Sequence, residues 1–199
     1  MKAVAIIVAG SGGQASVLLD ACVARGTDIA GIILASDDVP VGKFKVPVLG
    51  RLDRLSDRDF LRAHAIAIGT GNGGTRRGFA RTIAEHGGTL ATVIHPSSIV
   101  SSSARIGEGS MLAAASVVGP NAVVGRFCIV NTCSSIDHDN VLEDGVNLSP
   151  GVHFAGTVTC REDAFVGTGA TAIPGVTIGR RAVVGAGATV TASSGTLVA

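Results

Sequence analysis

The chain has 199 residues, a formal net charge of +1 and only 16% charged residues. A balance so near neutral excludes a basic field for nucleic acid or an anionic membrane surface, and no apolar run approaches the roughly 18 residues of a membrane span. Aromatic residues are 3% of the total with neither Trp nor Tyr, so the interior is expected to be thin and regular.

The opening MKAVAIIVAGSGG is a short apolar run that leads straight into a glycine loop, which fits a folded strand and turn better than a signal peptide. Residues 3–9 are expected as a strand, followed by a helical pattern through Val17, Leu18, Ala21 and Cys22. A second strand is expected over 28–35, ending at Ser36-Asp37-Asp38, and a short one over 46–49. One charged helix over 52–63, a strand over 65–69, a Gly-rich turn and a helix over 75–86 complete this part. Alternation of strand and helix implies a small parallel sheet, a Rossmann-like α/β domain over 1–96.

Gly10-Ser11-Gly12-Gly13 and Ala15 lie between the first strand and the first helix. The G-x-G-x-x-A spacing presents backbone N–H groups and a helix N-terminus to an anion. Asp37 and Asp38, after the second strand, are placed to reach a ribose or a base. The loop is read as a nucleotide site, with a tight turn of purely structural purpose as the alternative; a domain this small followed by repeats does not suit a dinucleotide-dependent redox enzyme.

Beyond residue 96 the period changes. From Val100 to Val190 every sixth residue is apolar, sixteen in succession with no break of phase. Gly often follows the aliphatic residue (Gly107, Gly119, Gly125, Gly167), and a small residue often stands four after it (Ala104, Ser110, Ala122, Ala170). A six-residue unit is a short strand plus a corner, and three units close one triangular coil. The aliphatic fills the inside, the small residue fits where walls converge, and the glycine is expected to supply backbone angles that a Cβ forbids. Coils stacked about 4.8 Å apart bury their edges on one another. Residues 97–199 are therefore expected as a parallel β-helix of just over five coils, roughly 25 Å long at that spacing.

Cys22, Cys128, Cys133 and Cys160 show no C-x-x-C spacing and no companion histidines for zinc. They read as buried, reduced thiols, with no metal site. Among five histidines, His64 and His86 fall near helix ends, His95 at the domain junction, and His153 near a corner. His138 stands apart: IDHDN places it between Asp137 and Asp139, with Pro120, Gly156 and Pro174 at the same repeat position in neighbouring coils. A carboxylate bonded to one ring nitrogen would fix the tautomer and raise the basicity of the other. In isolation the triplet also reads as an exposed polar corner.

The segments VAGSGGQASVLLD, IAIGTGN, VIHPSSIVSSSARIG, VNTCSSIDHDNVLEDGVNLSPGVHFAGTVT, GATAIPGVTIG and VVGAGATV together resemble the bacterial sugar O- and N-acetyltransferases of the hexapeptide-repeat, left-handed β-helix class. Nearest are those that N-acetylate nucleotide-linked 4-amino sugars such as the UDP-bacillosamine precursor or GDP-perosamine. The resemblance implies an acetyl-CoA-dependent sugar N-acetyltransferase of glycan biosynthesis, cytoplasmic and homotrimeric, with acetyl-CoA between adjacent prisms. It implies His138 as general base, Asp139 as its partner, Gly156 N–H at the thioester carbonyl, and Gly167, Thr168 and Ala186 along the pantetheine arm. The nucleotide sugar would meet Gly10, Ser11, Gly12, Gly13, Asp37, Asp38, Gly69 and Asn147. Three departures stand out: Gln14 replaces a usual histidine, Asn147 replaces a second histidine near the acetyl group, and the chain stops at GTLVA, ahead of the family's usual ending. O-acetylation of sialic acid or another surface sugar is the alternative activity, and a non-catalytic trimeric binding protein the alternative class.

Overall fold

A computed structural model of the chain describes residues 2–193 and the backbone of 197–198. The first part is a five-stranded parallel sheet. Its elements run β1 (Ala3–Val8), α1 (Gly13–Ala24), β2 (Ile29–Leu34), β3 (Val48–Arg51), α2 (Arg58–Ala63), β4 (His64–Gly69), α3 (Gly73–Glu85) and β5 (Thr89–Leu90). The spatial order is β3-β2-β1-β4-β5. β1 pairs with β2 on one side and β4 on the other, both in parallel, and Ala5, Ile6, Ile7 and Val8 are fully buried. A continuous apolar run is the signature of a parallel strand covered on both faces.

The single charged helix expected over 52–63 is two elements, a 3₁₀ turn over Leu52–Ser56 and then α2. Asp57 separates them in an extended conformation, and its carboxylate accepts the Asp59 and Phe60 N–H groups. It thus starts a new helix by capping it. The Phe60 N–H, with Arg54 beside it, holds this carboxyl below the usual range.

From Val93 onward the chain winds through two-residue strands into three faces of seven, six and five parallel strands. The six-stranded face runs from Ile99–Val100 to Thr189–Val190, the five-stranded one from Arg105–Ile106 to Thr177–Ile178, and the seven-stranded one from Val93–Ile94 to Leu197–Val198. This is the expected left-handed parallel β-helix. Its first strand, Val93–Ile94, pairs with Met111–Leu112 ahead of His95. The hexad aliphatics point inward; Leu112, Val130, Ile136, Leu142, Leu148, Val166 and Val184 are completely buried. The GTLVA ending, apart from that backbone at 197–198, lies outside the described residues.

The glycines work differently from expectation. Left-handed backbone occurs three residues after each hexad aliphatic from Ile106 to Val184, at glycines such as Gly109, Gly145 and Gly169 but also at Ala115, Asn121, Cys133, Asp139 and Thr157. From Phe127 onward each such N–H reaches a corner carbonyl of the preceding coil, as Asp139 does to Pro120 (2.9 Å) and Thr157 to His138 (3.0 Å); those of Gly109, Ala115 and Asn121 reach the hydroxyls of Thr92, Ser97 and Ser103 instead. The glycines directly after the aliphatics instead allow coils to touch. A Cβ on Gly107 would lie 2.4 Å from the Gly125 carbonyl group, and one on Gly119 2.6 Å from the Asp137 backbone. Cys133 departs from the buried-thiol expectation because it occupies one of the left-handed corners and is exposed. Cys22 and Cys128 are buried as expected, which pushes their thiols up to about 11 and about 12.

The α/β part packs on the upper half of the seven-stranded face, whose outward residues Val93, Met111, Ile129 and Asn147 are buried. Gln14 and Arg76 reach prism atoms from two sides of that contact.

Candidate active site

His138 lies two residues after Ile136, at the prism edge between the six- and five-stranded faces. Its ring Nδ1 is 2.8 Å from Asp139 Oδ2, and its backbone N–H donates to Asp137 Oδ1 at 2.7 Å. The other Asp139 oxygen accepts the Asn121 side-chain amide at 3.1 Å. The Asp139 carboxylate at Nδ1 is the main cause that raises the His138 pKa above its usual 6.5, with the charge of Asp137 adding. In turn the bond from His138, then that from Asn121, holds Asp139 below its usual range. The arrangement commits Nδ1 to the carboxylate and leaves Nε2 as the basic nitrogen.

Gly156 sits in the next coil directly against the ring: a Cβ there would lie 2.4 Å from His138 Cε1 and Nε2. Buried Asn140 joins the two coils. Its amide donates to the carbonyls of Asp137 (2.8 Å) and Ala155 (2.9 Å) and its oxygen accepts the Val158 N–H. Sequence reasoning left Asn121 and Asn140 unassigned, although Asn121 stands 18 residues before Asp139, in the same column.

Gly167, Thr168 and Ala186 occupy a different edge, between the seven- and six-stranded faces. Gly167 and Ala186 stack, with 2.6 Å between a Cβ at Gly167 and the Ala186 nitrogen. The backbone N–H groups of Gly156, Thr168 and Ala186 have no acceptor among the described residues. Outward-facing donors of this kind fit the carbonyl and amide oxygens of an acyl-pantetheine.

The α/β part builds a third group. Strand order reverses between β1 and β4, and in parallel sheets ligands bind outside the carboxyl ends of the strands at such a point. Gly10 and Gly12 both have left-handed backbone (φ 59° and 70°). Gly10 faces open space, whereas Gly12 lies under the Phe44 ring, 2.7 Å from a built Cβ. Ser11 and Gly13 are exposed beside them. The first helical bond of α1 is from Ser16 N–H to the Gly12 carbonyl, so the N–H groups ahead of it face outward. Gln14 turns away to the prism, where Nε2 contacts Met111 Sδ.

Asp37 is exposed and ion-paired with Arg51, and Asp38 is exposed beside it. Gly69 closes the sheet against α1, since a Cβ there would meet Ala15 Cβ at 2.6 Å. Asn147 donates from Nδ2 to the Gly71 carbonyl at 2.7 Å, and its buried Oδ1 has no partner among the described residues. Within one chain these three groups stay apart: the crevice lies on the seven-stranded face, and His138 lies on the edge opposite that face.

The residues 157–192 match the bacterial transferase hexapeptide family (six repeats). The chain is 30% identical over 166 residues to a GDP-perosamine N-acetyltransferase of Escherichia coli O157:H7, covering 81% of this chain and 72% of that protein. It belongs to the hexapeptide-repeat sugar N-acetyltransferase family. Two solved members of this family superpose over nearly the whole chain. The acetyltransferase domain of PglB from Neisseria gonorrhoeae FA1090, in complex with acetyl coenzyme A, is 33% identical with a TM-score of 0.88, over 96% of this chain and 92% of that one. PerB from Caulobacter crescentus, in complex with CoA and GDP-perosamine, is 34% identical with a TM-score of 0.88, over 100% of this chain and 92% of that one. Among the described residues no helix is long and apolar enough to cross a membrane.

Proposed function

We propose that the chain transfers the acetyl group of acetyl-CoA to an amine of a nucleotide-linked amino sugar, with His138 as the general base. The observation that carries the residue assignment is the His138–Asp139 pair pressed against Gly156. As the sugar nitrogen attacks the thioester carbon, a C–N bond forms and His138 Nε2 takes the proton from nitrogen. Gly156 N–H donates to the oxyanion. The C–S bond then breaks, and the proton passes from Nε2 to the departing sulfur, which leaves as coenzyme A.

In this reading residues 1–96 hold the nucleotide at Gly10, Ser11, Gly12 and Gly13, with Asp37, Asp38, Gly69 and Asn147 around the crevice, and residues 97–199 carry the chemistry. Gly167, Thr168 and Ala186 line the path of the pantetheine arm. The placement of His138 opposite the chain's own crevice supports a homotrimer, because a neighbouring copy must bring its crevice or its pantetheine edge to that corner. The cytoplasm is the proposed compartment, in keeping with four cysteines that form no disulfide.

The test is coenzyme A release with acetyl-CoA and a panel of UDP-, GDP- and dTDP-linked 4-amino sugars, with free sialic acid beside them. Release with an amino sugar is expected, and release with sialic acid alone overturns N-acetylation. Sedimentation should give about three times the 19.8 kDa chain mass; a monomer that is fully active overturns the shared site.

A further inference from the structure

Arg76, in the first turn of α3, is almost wholly buried, and among the described residues no carboxylate lies within hydrogen-bond distance of it. All its bonds go to backbone carbonyls. Nε donates to Phe127 (2.8 Å) and Nη2 to Gly145 (2.6 Å), both on a prism edge. Nη1 donates to Thr70 (3.1 Å) and Gly71 (2.8 Å), in the loop that follows β4. One rigid fork therefore joins that loop to the prism.

The Gly71 carbonyl takes a second donor, Asn147 Nδ2, from the prism face itself. Gly73 is pressed against the same edge, with a built Cβ 2.8 Å from the Gly145 carbonyl. Beyond the loop opens a cavity of about 630 Å³ that Asn147, Phe165 and Arg181 also line. Burial lowers the Arg76 pKa only to about 10, so the group is charged at neutral pH. Burying a charge is unfavourable where an apolar side chain of similar volume would serve for packing alone. What the guanidinium adds is a fixed direction for several carbonyls at once.

We propose that Arg76 and Asn147 are positioning residues for acetyl transfer: they set loop 70–72 of the α/β part on the prism, and so fix the shape of the acceptor crevice. The loop is placed by the prism as much as by its own sheet. The inference rests on the reading of that crevice as the amino-sugar site. It separates the two substrates, since neither residue touches the edges that carry Gly156, Thr168 or Ala186.

The test uses the full chain with Asn147→Ala, and Arg76→Lys as a second variant. For Asn147→Ala, the KM for the amino-sugar substrate should rise about tenfold, the scale of one lost hydrogen bond, with acetyl-CoA affinity unchanged. Hydrogen exchange should show about tenfold less protection at the Thr75 and Arg76 amides, whose acceptors are Asn72 Oδ1 and the Asn72 carbonyl, and native protection elsewhere. Native KM with native exchange overturns the inference. So does a loss of protection spread over both parts of the chain together with weaker acetyl-CoA binding, which marks a merely structural contact. Arg76→Lys should move the same two readouts in the same direction; if it does not fold, Asn147→Ala decides. Should the native protein acetylate no amino sugar, the proposed function falls, while the exchange result still judges the positioning.

Discussion

Gly156→Ala tests the corner most sharply. The added methyl would lie 2.4 Å from Cε1 and Nε2 of His138, roughly 1 Å inside ordinary carbon contact. The backbone need not change, because Gly156 is not among the residues with left-handed φ. The backbone N–H is also retained, so the oxyanion donor survives. The ring must yield, and being half-exposed it can swing outward, away from the 2.8 Å bond to Asp139. A displacement of that size at a reacting group is worth on the order of 10²-fold in rate, while a surface adjustment of this kind shifts stability by only about 0.5 kcal/mol. Turnover followed by the free thiol of coenzyme A should therefore fall about 10²-fold, with acetyl-CoA affinity by calorimetry and the Tm nearly native. Wild-type turnover would refute the placement of His138 in the chemistry. A large drop in Tm would show instead that the coil, not the ring, absorbs the methyl.

Three further outcomes follow from the same structure. His138→Ala should lower turnover by about 10²–10⁴-fold with acetyl-CoA affinity unchanged, and a variant at native rate removes it as the base. In the native enzyme the base must be neutral, so turnover rises as pH passes through a His138 pKa that Asp139 holds above 6.5. Asp139→Asn removes that cause, so the acidic limb of the pH–rate profile should move to lower pH; a limb that stays or moves up would show that Asp139 does not set it. Between two glycines of the prism, Gly107→Ala should lower the Tm more than Gly169→Ala. The first drives a Cβ to 2.4 Å from Gly125 backbone, whereas the second has φ +70° and open space, a strain of roughly 1–2 kcal/mol. The reverse order in calorimetry would invalidate the two roles assigned to these glycines.

The prism was legible because every hexad position has the same surroundings, so one rule repeats from Val100 to Val190. His138 was legible for a related reason: a charged triplet interrupts a pattern that is otherwise apolar and small. The α/β part was read less well where one side chain outweighs the pattern. Asp57 divides a run that is helical on both sides by capping the second half. Arg76 was invisible, since its prism acceptors are carbonyls 51 and 69 residues away and a carbonyl has no letter in a sequence. The glycines were seen but misassigned, because close approach and left-handed backbone both select the same residue.

The corner bonds have one more consequence. Residues stacked in one column of this prism are 18 apart, as Asn121 and Asp139 are, so the length of the chain is quantised. An insertion of one residue between His138 and Gly156 would rotate every later hexad off its face and carry Gly156 away from the ring. An insertion of a whole coil above Asn121 would leave the corner intact. Whole turns can be gained or lost at the ends of such a prism, but the interval from Asn121 to Gly156 admits no change in residue count.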